Sequence, residues 1–241
     1  MVKLCAKYLI RKYKTNKCHL NSKKKNKDTD TQFLKTFTHL QLQNQYIECI
    51  LQIDNCFNIR VLYLHQNLIR TIENMGNFPN LTHLYLQRNY INKLENLNVL
   101  KKLKKIYLGF NYIQVLEGME NLKEIKEIHI ECQNLNAGDT IYFEPLSIIN
   151  LGETLQVLNI SNNYLTSIHG LQNLLSLKIL DASNNYLFDL NEVANVVSNW
   201  LYLQELNLIG NEITRCRYYK DSIIFASNSL GNFFKILFDY L

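Results

Sequence analysis

The feature that most constrains the fold is the string Leu81-Thr82-His83-Leu84-Tyr85-Leu86-Gln87-Arg88-Asn89-Tyr90-Ile91, which has the form L-x-x-L-x-L-x-x-N-x-I. The same spacing recurs 22 residues upstream (Ile59, Leu62, Leu64, Asn67, Ile69) and 22 residues downstream (Leu103, Ile106, Leu108, Asn111, Ile113). The apolar positions describe a short strand whose inward side chains are followed by a turn. That turn leaves backbone groups facing the interior, and an amide side chain can both donate to and accept from them. One such unit cannot bury its own apolar face, so neighbouring units must stack into a solenoid.

Eight copies can be placed. They start at Phe37, Ile59, Leu81, Leu103, Ile125, Leu155, Leu177 and Leu203, and their amides are Gln45, Asn67, Asn89, Asn111, Gln133, Asn163, Asn185 and Asn211. The pattern is that of the leucine-rich repeat. It predicts an α/β leucine-rich repeat solenoid, with a curved parallel sheet on the concave face and short helices or 3₁₀ turns on the convex face. The domain reading is a basic N-terminal arm or cap over 1–36, eight repeats over 37–213, and a capping helix with an apolar tail over 214–241. An irregular insertion is expected at about 136–154. Apolar positions Leu4, Tyr8, Leu9 and Tyr13 predict an amphipathic helix in residues 1–20, read as an end cap with a membrane or tubulin contact as the alternative. Val193, Val196, Val197 and Trp200 predict a helix facing inward in the longer repeat from Leu177, and a capping helix is expected around 217–224.

Composition narrows the function. The net charge of +5 is uneven. Residues 1–31 hold ten Lys/Arg against two Asp/Glu, a net of +8, and the remainder holds 16 against 19, a net of −3. Lys23, Lys24, Lys25 and Lys27 lie in a polar run without aromatics, so nucleic acid is a disfavoured partner. The six cysteines form no C-x-x-C pair, which predicts free thiols in a reducing compartment. No apolar run of signal-peptide or membrane-span length occurs, so a cytoplasmic protein is expected. No phosphate-binding loop, H-E-x-x-H or nucleophile elbow is present, and neither an enzyme activity, a cofactor, a metal nor a small-molecule substrate is expected. His129 and Cys132 are a thiol–imidazole pair only by proximity in sequence.

Alternation along each strand assigns the concave face. The residue between the two core positions reads Gln41, Tyr63, Tyr85, Tyr107, His129, Asn159, Asp181, Asn207. The flanking columns add Glu127 and Glu205 on one side and Glu131 on the other. The expected partner-binding surface is therefore Tyr63, Tyr85, Tyr107 and His129, edged by Glu127, Glu131, Asp181 and Glu205.

The segment His129-Ile130-Glu131-Cys132-Gln133-Asn134-Leu135, then Gly138, Phe143-Glu144-Pro145 and Leu155 to Asn163, resembles the leucine-rich repeat regulators of protein phosphatase 1, within them the regulatory subunit 42 (testis leucine-rich repeat) family. Thr82 to Gln87, Tyr107-Leu108-Gly109 and Asn111-Tyr112-Ile113 are similar to it as well. The family has a Pro after the last ladder Asn, where Glu212 stands here, and residues from Gly231 to Leu241 do not match it. The resemblance implies a non-enzymatic scaffold that binds the phosphatase catalytic subunit, with tubulin a second candidate partner, at the centrosome or microtubule organising centre. A ciliary or axonemal assembly scaffold is the alternative, and a nucleic-acid-associated adaptor a weaker one. Arg60-Val61-Leu62-Tyr63 loosely resembles a phosphatase-docking R-V-x-F sequence, but Leu62 is needed in the core.

Overall fold

The computed structural model describes residues 2–15, 32–53, 56–227 and 235–237. The lysine run from Lys17 to Lys27, Cys18 and most of the apolar tail from Gly231 lie outside the described residues.

Parallel strands form a nine-stranded sheet, and eight of them are the strands of the repeats: β2 (His39–Gln41), β4 (Val61–Tyr63), β5 (His83–Tyr85), β6 (Lys105–Tyr107), β8 (Glu127–His129), β10 (Val157–Asn159), β11 (Ile179–Asp181) and β12 (Glu205–Asn207). They pair in sequence order, and a further strand, β13 (Lys235–Leu237), pairs with β12. The register is constant, with Leu40, Leu62, Leu84, Ile106, Ile128, Leu158, Leu180 and Leu206 aligned across the sheet. Each of these points inward and is buried. Slipping one strand by a residue would exchange this row for the polar concave row, so burial fixes the register.

The amide ladder joins each turn to the one before it. Asn111 donates through Nδ2 to the carbonyls of Leu108 (2.8 Å) and Leu86 (3.0 Å), and its Oδ1 accepts from the Ile91 N–H (3.1 Å). Asn67, Asn89, Asn185 and Asn211 repeat the arrangement one repeat at a time, and Asn163 keeps both donor bonds while its Oδ1 accepts from the Gln133 N–H. Gln133 reproduces it with its longer arm, bonding Leu108, Ile130 and the Ile113 N–H. Gln45, in the first repeat, has no preceding strand to staple. Its Nε2 bonds Gln43 and Asn44 within its own turn, and its Oε1 accepts from Tyr8.

Tyr8 belongs to the N-terminal cap, which differs from the single helix expected. Residues Val2–Leu4 form β1, paired with β3 (Ile47–Ile50), and the helix α1 spans Ala6–Thr15. Alternation rather than helical periodicity governs the first residues, because Leu4 must enter the core beside Ile50. Leu4 and Leu9 are fully buried. Tyr13 covers the sheet edge: its hydroxyl donates to the Gln41 carbonyl (3.0 Å) and accepts from the Gln41 N–H (2.9 Å). One phenol thus satisfies both backbone groups that an edge strand would otherwise leave open.

The segment 136–154 is also more ordered than an irregular insertion. β9 (Tyr142–Phe143) pairs with β7 (Val115–Leu116) on the convex side, and α2 spans Pro145–Leu151. Glu144 caps α2, its two oxygens accepting from the Leu146 and Ser147 N–H groups, and Pro145 takes the first helical position, where no N–H is needed. Ile148 and Leu151 reach the core. In the long repeat α3 (Leu190–Ser198) starts on an Asp189 cap and turns Val193, Val196 and Val197 inward, with Trp200 after it. Trp200 Nε1 donates to the Leu171 carbonyl (3.3 Å). The helix α4 (Tyr219–Ala226) packs on α3.

The ladder gives the first test. Asn111→Ala strands three buried backbone partners and should lower unfolding free energy by about 2–3 kcal/mol in urea titrations. Gln45→Ala, at a half-buried turn where the amide bonds its own turn and the Tyr8 hydroxyl of the cap, should cost less than half as much. Equal losses at the two sites would contradict the stapling role.

Candidate protein-binding face

The concave face is built from side chains that the sheet holds in register. Tyr63, Tyr85 and Tyr107 sit at the last position of β4, β5 and β6, and His129 at that of β8. Their rings stack in one column, with centroids 4.6 Å apart for Tyr63–Tyr85, 4.6 Å for Tyr85–Tyr107 and 4.5 Å for Tyr107–His129. The planes are within 16° of parallel. The spacing is that of neighbouring strands carried out to the side chains. Because Tyr85 and Tyr107 are covered on both faces, the middle of the column offers ring edges and phenol oxygens rather than open faces.

Glu127 is the hub of this column. Its Oε1 accepts from the Tyr107 hydroxyl (3.0 Å) and contacts His129 Nε2 (2.8 Å), while its Oε2 pairs with Lys105. Burial pushes the Glu127 carboxyl up, but the bonds from Lys105, His129 and Tyr107 outweigh that effect and hold it below the usual carboxylate range. Burial, followed by the bond to Glu127, raises the Tyr107 phenol far above the ordinary tyrosine value.

The four acidic residues expected at the edge of the surface occupy different situations. Glu127 is internal to the network just described. Glu131 lies over Gly109, where a Cβ would fall 2.2 Å from its Oε1. Asp181 accepts from the Ser183 N–H (3.0 Å) and Oγ (2.6 Å), two strands from His129. Glu205 is exposed on β12, a further strand away. The structure therefore brings together Tyr63, Tyr85, Tyr107, His129 and Glu127, with Glu131 beside them, and leaves Asp181 and Glu205 about 10 Å and 14 Å along the sheet.

Sequence reasoning missed Lys105, whose role was legible in its alignment with Glu127 on the next strand. It missed the place for Glu131, which the absent side chain of Gly109 signals. It also missed a second aromatic row, one residue after the ladder amides, in which Tyr46, Tyr90, Tyr112, Tyr164 and Tyr186 are exposed and Tyr90 stacks on Tyr112 at 5.8 Å. Cys132 is no nucleophile partner for His129: the imidazole is engaged with Glu127, and burial followed by the Glu131 charge pushes the thiol up. Among the described residues no group of three His, Cys, Asp or Glu could hold a metal ion. No helix among them is long and apolar enough to cross a membrane.

Glu127 gives a pH test. A carboxyl whose folded pKa is depressed contributes stability that is present above its unfolded pKa and lost as pH falls through the folded value. Glu127→Gln should therefore cost about 1–2 kcal/mol at neutral pH. The gap from wild type should close as the pH falls below the ordinary carboxylate range. Chemical denaturation as a function of pH measures it; a gap independent of pH would remove Glu127 from the hub.

Residues 58–102 match the family described as Leucine Rich repeats (2 copies). Among solved structures, the chain is similar to a leucine-rich repeat protein of Leptospira interrogans, with TM-score 0.65 and 22% identity over 87% of this chain and 57% of that one. It is similar to the leucine-rich repeat domain of APL1B, with TM-score 0.58 and 19% identity over 90% of this chain and 69% of that one. The TLR13 chain of a TLR13–ssRNA13 complex gives TM-score 0.61 and 25% identity over 74% of this chain and 27% of that one. The chain thus spans a little over half the length of the Leptospira protein and about a quarter of TLR13. With its amide ladder and parallel sheet, the chain has the leucine-rich repeat fold, and residues 58–102 carry that family's repeats.

Proposed function

We propose that the chain binds a protein on its concave face and acts as a non-enzymatic regulator of protein phosphatase 1, as the regulatory subunit 42 family does. The observation that supports a protein partner is the column Tyr63-Tyr85-Tyr107-His129, which is half-buried, in register and not needed for the core. Tyrosines held in fixed rotamers give large contact area with little ordering cost, and protein interfaces are centred on such anchors. A few adjacent strands supply the ~800 Å² per side that a stable interface needs. The phosphatase as partner is supported by the sequence resemblance around residues 129–163. Under this reading the protein is cytoplasmic, at the centrosome or microtubule organising centre, where tubulin is a second candidate partner. Recognition is by the assembled surface and not by the Arg60–Tyr63 segment as a peptide, because Leu62 is fully buried.

Tyr63→Ala combined with Tyr85→Ala leaves the Tyr107–Glu127–His129 network in place. It should weaken binding of the phosphatase catalytic subunit by about 2 kcal/mol or more while the melting temperature barely moves. The control, Asn92→Ala with Lys93→Ala, changes two exposed residues outside the sheet and should bind like wild type. Isothermal titration with the purified catalytic subunit decides it; wild-type affinity in the tyrosine double variant would reject the concave face.

A further inference from the structure

At the edge of the sheet where β2, β4 and β5 begin, a recess of about 330 Å³ opens between successive repeats. Lys35, Arg60 and Lys102 line it, with Thr38, Thr82 and Asn80 among its polar wall residues. Among the described residues no carboxylate lines it. The wall is rigid because its backbone is committed: the Arg60 N–H donates to the Thr38 carbonyl (2.7 Å), and the Arg60 carbonyl accepts from the Thr82 N–H (2.8 Å) and hydroxyl (2.9 Å). Asn80 is pinned through Nδ2 to the Phe57 carbonyl (2.6 Å), and its Oδ1 takes a bond from Lys102 Nζ (2.7 Å). The charge of Lys102 thus meets only a neutral partner. Three cationic residues line one recess with no carboxylate among the described lining residues, on a body whose repeats and C-terminal part are net acidic. An anion placed there would meet a favourable local field.

We propose that this recess takes a phosphomonoester carried by the protein bound on the concave face. Three observations select that ligand. The first is charge: a phosphomonoester carries close to two negative charges at neutral pH and several acceptor oxygens, which suits one planar guanidinium with two ammonium groups better than a single carboxylate does. The second is position. Arg60 immediately precedes β4, at whose last position Tyr63 stands, about 10 Å along the chain, so the recess lies at the margin of the tyrosine column. The third is exclusion. No aliphatic or aromatic residue is among the described residues lining it, so it offers no side chain of the kind that inserts into a bilayer.

The inference rests on the concave face being the partner surface, and its test is separate from the test of that face. O-phospho-L-serine, and acetate at matched ionic strength, are titrated into the isotopically labelled full chain while backbone amide shifts are followed by NMR. Saturable shifts are expected at Arg60, Thr82 and Lys102, with half-saturation at a concentration about fivefold lower or more for phosphoserine than for acetate. Arg60→Ala with Lys102→Ala should raise that concentration about tenfold or more, and a thermal melt of this variant should match wild type. Shifts scattered over the lysines, equal responses to the two anions, or an unchanged response in the double variant would overturn the proposal. Co-sedimentation with phosphatidylcholine vesicles containing phosphatidylinositol phosphate, if lost on changing Arg60 and Lys102, would overturn it in favour of a lipid headgroup. Tyr63→Ala with Tyr85→Ala should leave the phosphoserine shifts intact, so failure of the recess and failure of the concave face give different results.

Discussion

Everything in this protein depends on one side-chain amide per repeat. A turn of about 22 residues is too short to close its own backbone hydrogen bonds, and the inward carbonyls at the strand ends lie where water cannot reach them. Asn67, Asn89, Asn111, Asn163, Asn185 and Asn211 each donate to a carbonyl of their own repeat and one of the repeat before. To reach that position the chain turns sharply. The residue before each amide has a positive φ, as at Asn44, Gln66, Arg88, Phe110, Cys132, Asn162, Asn184 and Gly210. For Phe110 and Cys132 that conformation costs on the order of 1 kcal/mol, which the buried amide bonds outweigh. Local propensity is overridden because the ladder and the leucine row need the same register.

A ladder that runs along the whole solenoid needs an ending. At the N-terminal end the missing neighbour is replaced by two phenols of α1: Tyr8 occupies the acceptor of Gln45, and Tyr13 occupies both backbone groups of Gln41. The cap is thus part of the hydrogen-bond accounting of the repeats as well as a lid over apolar side chains. The segment around α2 keeps the same accounting in the middle of the chain. It adds length without breaking the sheet, since β8 and β10 remain paired and Gln133 still accepts its bond from the Ile113 N–H. The glutamine there, one methylene longer than asparagine, spans the same groups.

This explains which parts of the structure the sequence displays and which it hides. The strands, the ladder and the stacked column are periodic, and period is visible in one chain: Leu84 predicts Leu62 and Ile106, and Tyr85 predicts its neighbours. The helix of the repeat that starts at Leu177 was legible too, because Val193, Val196 and Val197 fall on one face. What does not repeat was hidden. Leu4 reads as the start of a helix until β3 is there to pair with it. Residues 136–154 look irregular because β9 is specified by its partner β7 and not by any repeat of its own, while the Glu144–Pro145 cap that starts α2 is local and was overlooked. The acidic edge was misplaced for a related reason. Alternation tells which face a carboxylate is on, but whether it is spent internally depends on the neighbouring strand, and Lys105 and Tyr107 claim Glu127 while Ser183 claims Asp181.

The consequence for binding is that the face is set before any partner arrives. Tyr107 and His129 are fixed by Glu127, Tyr85 is fixed between Tyr63 and Tyr107, and the backbone beneath them is fixed by the ladder. Side chains held this way lose little rotamer freedom on association, so a larger part of the contact energy is retained as affinity. The same rigidity limits what can be recognised. Stacked rings cannot open to admit a flat group, and the carboxylate nearest the column is already paired, so discrimination must come from ring edges, phenol oxygens and the groups at the margin. Those margins differ: a cation-lined recess lies where β2, β4 and β5 begin, and Glu131 lies at the far end of β8 over the gap left by Gly109. A chain crossing the tyrosine column from one margin to the other meets positive charge first and negative charge last. Under the proposed binding on the concave face, direction along the groove is set by charge and the depth of the contact by the aromatic column.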